Sequence, residues 1–220
     1  MSTTDTIVLV RPDHFCFNVQ TAESNSFMNR VTDIKDEKIT NLALTEFTNM
    51  VSVLEKNKIQ VIVVPSRTDV ITPDAVFPNN WFSTDKKGNL IIYPMLTENR
   101  RAEKQVDNLK IVLQENGCKI KSIIDWSHHE KNGKILEGTG SIVFSRKHNI
   151  AFAISSARTD KQLFEDYCKY FGYKAVFFHA YDSQLKPVYH TNVIIAVGDE
   201  FVVLCSESIK DVNERNKVHD

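Results

Sequence analysis

A hairpin, a helix and a strand recur in that order along this chain, in two complete copies roughly 55–60 residues apart, a spacing near that of repeated supersecondary units. In the first copy, Trp81-Phe82-Ser83-Thr84 and Leu90-Ile91-Ile92-Tyr93 are apolar runs around Asp85-Lys86-Lys87-Gly88-Asn89, a turn by composition. A helix is predicted from about Asn99 to Asn116. Val106, Leu109, Val112 and Leu113 share one face, and Gly117 suits a left-handed end. A strand follows from Cys118 to Ile124. In the second copy, Ser141 to Phe144 and Ile150 to Ile154 flank Ser145-Arg146-Lys147-His148-Asn149. Thr159-Asp160-Lys161-Gln162 reads as a capping box with Thr159 as the cap. Leu163, Phe164, Tyr167, Cys168 and Phe171 then line a helix ended by Gly172, and Tyr173 to Phe178 is a strand. No aromatic or glycine signature recurs at a fixed offset, so the repeat lies in the pattern and not in the text.

Partial copies stand at both ends. Ile7 to Val10 and Ile59 to Val64 are short apolar strands around a helix from Ile39 to Leu54, with Ile39, Ala43, Phe47, Met50, Val51 and Leu54 at helical spacing. Between Asp13 and Asp36 no period holds, which predicts a long loop with one helical turn; such loops are unusual unless functional. Near the end, Asn192 to Val197 and Phe201 to Cys205 form a third hairpin around Gly198-Asp199-Glu200, and Ser206-Glu207-Ser208-Ile209 looks like a helix start. Units of this kind bury their faces only against neighbours, and a ring of them closes a core. The expectation is one α/β domain over residues 1–220, incomplete and cut after the start of a fourth module.

A formal net charge of -1 gives no field that would gather nucleic acid or a membrane surface. The longest apolar runs, such as Val61-Ile62-Val63-Val64, are far too short to span a bilayer, and residues 1–6 lack the basic start and apolar core of a signal peptide. Cys16, Cys118, Cys168 and Cys205 are scattered. They read as reduced thiols of a cytoplasmic protein and not as a disulfide frame or zinc site.

The polar residues with chemical uses sit where the hairpins begin: Asn79 and Asn80, then Glu137, then His190, Thr191 and Asn192. In a ring, equivalent positions meet near the axis. A Glu can hold an N–H-rich substrate, and a His can protonate a leaving amine and then activate water. Each residue also has a plain reading. Glu137-Gly138-Thr139-Gly140 is a tight turn, His190 a satisfied structural histidine, and Asn79-Asn80 turn chemistry after Pro78. Arg100-Arg101-Ala102-Glu103 is most simply a solvated first helical turn, and Arg158 either meets a carboxylate or solvates a loop. His128-His129-Glu130 is a poor metal site, because adjacent residues on a helix or strand do not face one ion. No metal or cofactor is expected.

The phrases Val10-Arg11-Pro12, Asp74-Ala75-Val76-Phe77-Pro78-Asn79-Asn80-Trp81, Asn99-Arg100-Arg101-Ala102-Glu103, Leu136-Glu137-Gly138-Thr139-Gly140-Ser141, Ala157-Arg158-Thr159-Asp160 and Tyr189-His190-Thr191-Asn192 follow the order seen in the guanidine-modifying (amidinotransferase) superfamily. The chain resembles most the bacterial citrulline-utilisation hydrolases. Arginine deiminases and dimethylarginine dimethylaminohydrolases are more distant. The resemblance implies the pentein fold, a five-bladed α/β propeller. It also implies covalent catalysis, in which a cysteine attacks the guanidinium or ureido carbon. His190 is then general acid and base, and Glu137 the catalytic carboxylate. Asp74 matches a residue contacting the substrate's α-amino group, and Arg100 and Arg158 match residues near its carboxylate. Asn79 and Asn80 stand where dimethylargininase-type relatives carry acids, and Asn192 where deiminases carry Asp.

Amides both donate and accept, so they suit a neutral ureido group better than carboxylates do; carboxylates pair with a cationic guanidinium. Citrulline is therefore expected over arginine. The family's nucleophilic cysteine belongs to the last module, and none of the four cysteines here matches it. The first expectation is a C–N hydrolase of a small molecule, citrulline or a related guanidino compound, without its nucleophile in this chain and inactive alone. Its rival is a non-catalytic pentein that binds or scaffolds. An open ring would expose apolar edges, which predicts self-association.

Overall fold

The computed structural model describes residues 4–30 and 32–219. Four small sheets follow one another along the chain. The first pairs β1 (Thr6–Val10) in parallel with β2 (Gln60–Val64), which is reached through α1 (Val19–Ala22) and α2 (Asp36–Lys56). In the second, β3 (Phe82–Thr84) is antiparallel to β4 (Asn89–Ile92). After α3 (Glu98–Arg101) and α4 (Val106–Glu115), β5 (Ser122–Asp125) lies parallel to β4. The third repeats this. After α5 (Gly138–Ser141) come antiparallel β6 (Val143–Ser145) and β7 (Ile150–Ile154), then α6 (Lys161–Phe171), then β8 (Lys174–Phe178) parallel to β7. The fourth is the hairpin β9 (Ile195–Val197) and β10 (Val202–Leu204), followed by α7 (Val212–His219). The hairpin–helix–strand succession is thus the real unit of the fold.

No unit owns its core. Val10, Ile62 and Val64 pack against Trp81, Leu90, Ile92, Leu109 and Leu113 of the next unit. Ile91 and Tyr93 pack against Ile142, Ala151, Leu163 and Phe164 of the one after. Phe152, Ile154, Val176 and Phe178 pack against Ile194, Ile195 and Ile209. The three buried clusters therefore lie at seams between successive units, as in stacked repeats.

Several boundaries differ from the sequence reading. The helix expected over 99–116 is two helices. Between them the chain turns so that Arg101 can donate from Nε to Met95 O (2.8 Å) and from Nη2 to Leu96 O (3.0 Å). The cap of α6 is Asp160 and not Thr159: the Asp160 carboxylate accepts from Leu163 N at 2.7 Å, while Thr159 is buried in bridges to Leu136 and Ser156. Residues 206–208 form a separate 3-10 turn ahead of α7. Of the apolar face expected on α2, only Phe47 is buried and Met50 is exposed. Among the described residues no helix is long and apolar enough to cross a membrane.

Candidate active site

The residue stretch before each hairpin folds as a short helical turn: Pro78–Asn80, Gly138–Ser141 and Thr191–Val193. The three turns meet at the seams. Thr191 Oγ1 donates to Ser141 O (2.5 Å) and accepts from Ile154 N (3.0 Å), which locks the third turn to the second. The second meets the first with no room to spare. A Cβ at Gly138, whose φ is +41°, would lie 2.3 Å from Asn79 O. A Cβ at Gly140 would lie 2.5 Å from Asn80 Nδ2 and 2.7 Å from His190 Nδ1. The Gly-Thr-Gly run that reads as an ordinary turn is there because two neighbouring turns approach its backbone.

At this junction Glu137 and His190 are 1% and 4% exposed. Glu137 Oε2 accepts from His190 Nε2 at 2.9 Å and from Arg158 Nη1 at 3.3 Å; Oε1 accepts from Leu96 N at 3.0 Å. Burial pulls the Glu137 carboxyl up. The hydrogen bond and charge of His190, and then the charges of Arg158 and Arg100, outweigh it and bring the group down to about 2. Burial pushes the His190 ring below its ordinary value, against the opposite pull of Glu137. With Arg158 a permanent cation beside it, Glu137 is the ion. A carboxylate only accepts, so the neutral ring keeps its proton on Nε2, donates that N–H in a hydrogen bond to Glu137, and leaves Nδ1 as an acceptor.

Arg158 is held through both its backbone and its side chain. Its backbone carbonyl accepts from Ser141 Oγ (2.7 Å) and Glu137 N (3.2 Å). Its Nη2 donates to Ser24 Oγ (2.9 Å) and Thr21 O (3.2 Å), and its guanidinium carbon stands 5.0 Å over the Tyr189 ring. Thr21 and Ser24 belong to the aperiodic segment 13–36, where sequence reading placed no site residue. Asn18 and Thr21 from this segment donate to Asp74 Oδ2 at 2.7 and 3.0 Å, and Asn18 Oδ1 accepts from Asn99 Nδ2 at 2.6 Å. The signal for them was present: an aperiodic stretch whose Asn18 stands as the N-cap of its one helical turn.

Arg100, whose plainest reading is part of a solvated helical turn, is instead fully buried. It pairs with Glu103 through Nε (2.8 Å) and Nη2 (2.9 Å), and donates to Phe77 O (3.0 Å) and Asn80 Oδ1 (2.8 Å). Burial pushes the Glu103 carboxyl up to about 7 against the pull of Arg100. Asn79 is half-buried at the first turn and its carbonyl accepts from Thr139 Oγ1 (3.3 Å); Asn192 is exposed on the third. The structure therefore brings together Glu137, His190, Asn79, Asn80 and Arg158, with Asp74 joined to them through Thr21, and leaves Asn192 on the surface. Glu130 is taken by Met95 N (2.7 Å) and Lys104, and His128 Nδ1 meets Asp125 O (3.0 Å). Among the described residues, no cluster of His, Cys, Asp or Glu is arranged to hold a metal. Cys168 is a core thiol that burial pushes up to about 12, and the Cys16 thiol is raised by burial and then by Asp36 and Asp74. Cys205 is exposed.

A sequence model of the eukaryotic N,N dimethylarginine dimethylhydrolase family matches residues 11–220. The chain belongs to that family. Within the guanidine-modifying superfamily, the dimethylhydrolase branch matched is one that sequence reading had set among the more distant relatives. No curated protein matches this dimethylhydrolase-family chain at a significant level. Solved structures do. One is a substrate-bound cysteine-to-serine variant of the N-terminal domain of ArgZ, an arginine dihydrolase of cyanobacteria. It is 16% identical with a TM-score of 0.71, over 97% of this chain and 71% of that one. Full-length apo ArgZ is 17% identical with the same TM-score and 97% of this chain covered, but the match spans only 29% of its own length. A cysteine-to-serine variant of DDAH from Pseudomonas aeruginosa, complexed with citrulline, is 16% identical with a TM-score of 0.55, over 87% of this chain and 65% of that one. These likenesses establish a pentein-type mixed α/β fold.

Proposed function

We propose that this dimethylhydrolase-family chain carries the acid–base and substrate-holding residues of a hydrolase that cleaves a C–N bond in citrulline or a related ureido or guanidino amino acid. The observation that carries the reading is the buried Glu137–His190 pair, 2.9 Å apart and braced by Arg158, facing Asn80 across Gly140. A cysteine thiol passes its proton to His190 Nδ1 as its sulfur attacks the ureido carbon, and the imidazolium so formed gives that proton to the departing nitrogen, leaving an S-linked thiocarbamate. The neutral ring then draws a proton from the water that opens the thiocarbamate and passes it to the departing cysteine sulfur. Glu137 stabilises the imidazolium each time it forms. Asp74 is proposed to meet the α-ammonium and Arg158 the α-carboxylate. The thiol is assigned to none of the four cysteines: the Cys168 thiol is buried and hard to ionise, and burial raises the Cys16 thiol. We read the four sheets as successive blades of a five-bladed propeller, a reading supported by cores shared only between neighbours. The reaction is placed in the cytoplasm, in keeping with four free thiols.

The test has two parts. Calorimetric titration of the chain with L-citrulline and L-arginine measures binding, and amine and ammonia release from the protein as its source produces it measures turnover. Binding of citrulline with turnover supports the proposal. Binding without turnover in the native product favours a non-catalytic pentein. Failure of both ligands to bind refutes the site.

A further inference from the structure

Arg158 and His190 meet Glu137 from two different units, and the same two serines hold both of them along their backbones. Ser141 is fully buried; its Oγ donates to Arg158 O at 2.7 Å and accepts from Glu137 N at 3.1 Å. The Ser156 Oγ accepts from Arg158 N at 3.1 Å and donates to Tyr189 O at 2.8 Å. The Ser141 carbonyl accepts from Thr191 Oγ1. One serine therefore takes the N–H of Arg158, and the other its C=O. The residue before His190 is tied to Ser156, and the residue after it to Ser141. A hydroxyl has one proton and two lone pairs, and each of these two gives its proton to a carbonyl and accepts an amide N–H.

We propose that Ser141 and Ser156 are positioning residues, a clamp that sets the hydrogen bond between His190 and Glu137. This rests on the reading of that pair as acid–base machinery. The two hydroxyls bond to main-chain atoms and not to the ring or the carboxylate, so they act through the backbones that carry those groups. The pair spans 2.9 Å between side chains of different units. A small slide of one turn past the other would misalign it, and a hydrogen bond weakens steeply with misalignment. Ties at 137, 158, 189 and 191 oppose that slide from both flanks of His190. His190 must find the same carboxylate after every proton transfer, and the clamp fixes that geometry before a ligand arrives. Removing either hydroxyl deprives a carbonyl and an amide of a partner together, and at Ser141 both are buried.

The experiment follows the His190 ring by NMR in wild type, Ser141→Ala, Ser156→Ala and Ser156→Thr, with the ring signals assigned by their loss in His190→Gln. Burial lowers the proton affinity of this ring most; Glu137 raises it, and Arg158 and Arg100 lower it. A loosened bond to Glu137 should therefore lower the ring's titration midpoint further. The expected result for each alanine variant is a midpoint about one pH unit lower, a tenfold weaker hold on the proton and the size of one hydrogen bond to a charged group. The Nε2 proton resonance should move upfield with it. Ser156→Thr keeps the hydroxyl and should keep the wild-type midpoint. A merely structural role would lower the unfolding temperature and leave the midpoint of the folded chain where it was. A midpoint that stays or rises in the alanine variants overturns the proposal, as does a threonine variant that matches alanine. Should Ser141→Ala not fold, the two Ser156 variants decide. No ligand enters the measurement, so a failure of citrulline to bind would count against the site reading and not against the clamp.

Discussion

Replacing Glu137 by Gln tests the electrostatics of the site without asking for activity. The glutamine side chain keeps the shape and an acceptor for Leu96 N, but it cannot carry the charge that Arg158 and His190 face. The Glu137 carboxyl falls from an ordinary 4.5 to about 2 in the folded chain. A depressed carboxyl contributes stability above its unfolded value and loses it as pH falls through its folded one. The full contribution is about 3 kcal/mol from the size of that shift. About 1 kcal/mol of it should be gone by about pH 4 and about 2 kcal/mol by about pH 3. Denaturant unfolding of wild type and Glu137→Gln at about pH 7, 5, 4 and 3 reads this directly. The wild type should be the more stable at pH 7, by about 3 kcal/mol, and the gap should narrow along that course. His190 acts in the same direction in wild type, since a ring held below its ordinary value is least stabilising where acid would charge it. A gap that stays constant from pH 7 to pH 3 would refute the claim that Glu137 is the buried ion.

Other outcomes follow from single contacts. Gly140→Ala puts a methyl group into Asn80 Nδ2 and the His190 ring; it should cost about 1–3 kcal/mol of stability and reduce citrulline affinity or turnover far more than a surface glycine change. Arg158→Met strands the Glu137 charge, and thermal or denaturant unfolding should show a loss of about 3–5 kcal/mol. Asn80→Asp should shift ligand preference from citrulline toward arginine in calorimetry; an unchanged ratio would sink the ureido argument. Asp160→Ala removes the cap of α6 and should cost about 1 kcal/mol with ligand preference unaltered, whereas Thr159→Ala should leave helix content unchanged by circular dichroism.

The repeat was legible because each hairpin, helix and strand has its own period and turn residues, and those are local. So was the grouping of Asn79, Asn80, Glu137 and His190, since equivalent positions in a repeat are brought to equivalent places. What was not legible depended on partners distant in sequence. Arg100 looks like a solvated charge until Glu103 and Asn80 close around it, and nothing in a window of ten residues reports a buried ion pair. The break after Arg101 follows from side-chain bonds back to 95 and 96, which outweigh the helical periodicity. The grip of Asn18 and Thr21 on Asp74 spans more than fifty residues and has no sequence period at all. The capping box failed for a simpler reason: Thr159 and Asp160 are both good caps, and a tertiary bridge claims the first.

The locking of the third turn to the second has a further reach. Glu137 and His190 are supplied by different units, and the same seam that joins those units holds Ser141, Thr191 and Ile154 in register. A chain whose fourth unit peeled away would keep its first two cores and most of its secondary structure, yet its carboxylate and imidazole would be parted. Chemistry here should therefore fail as an early symptom of warming or mild denaturant, ahead of any loss of ellipticity, and would serve as the more sensitive gauge of that joint.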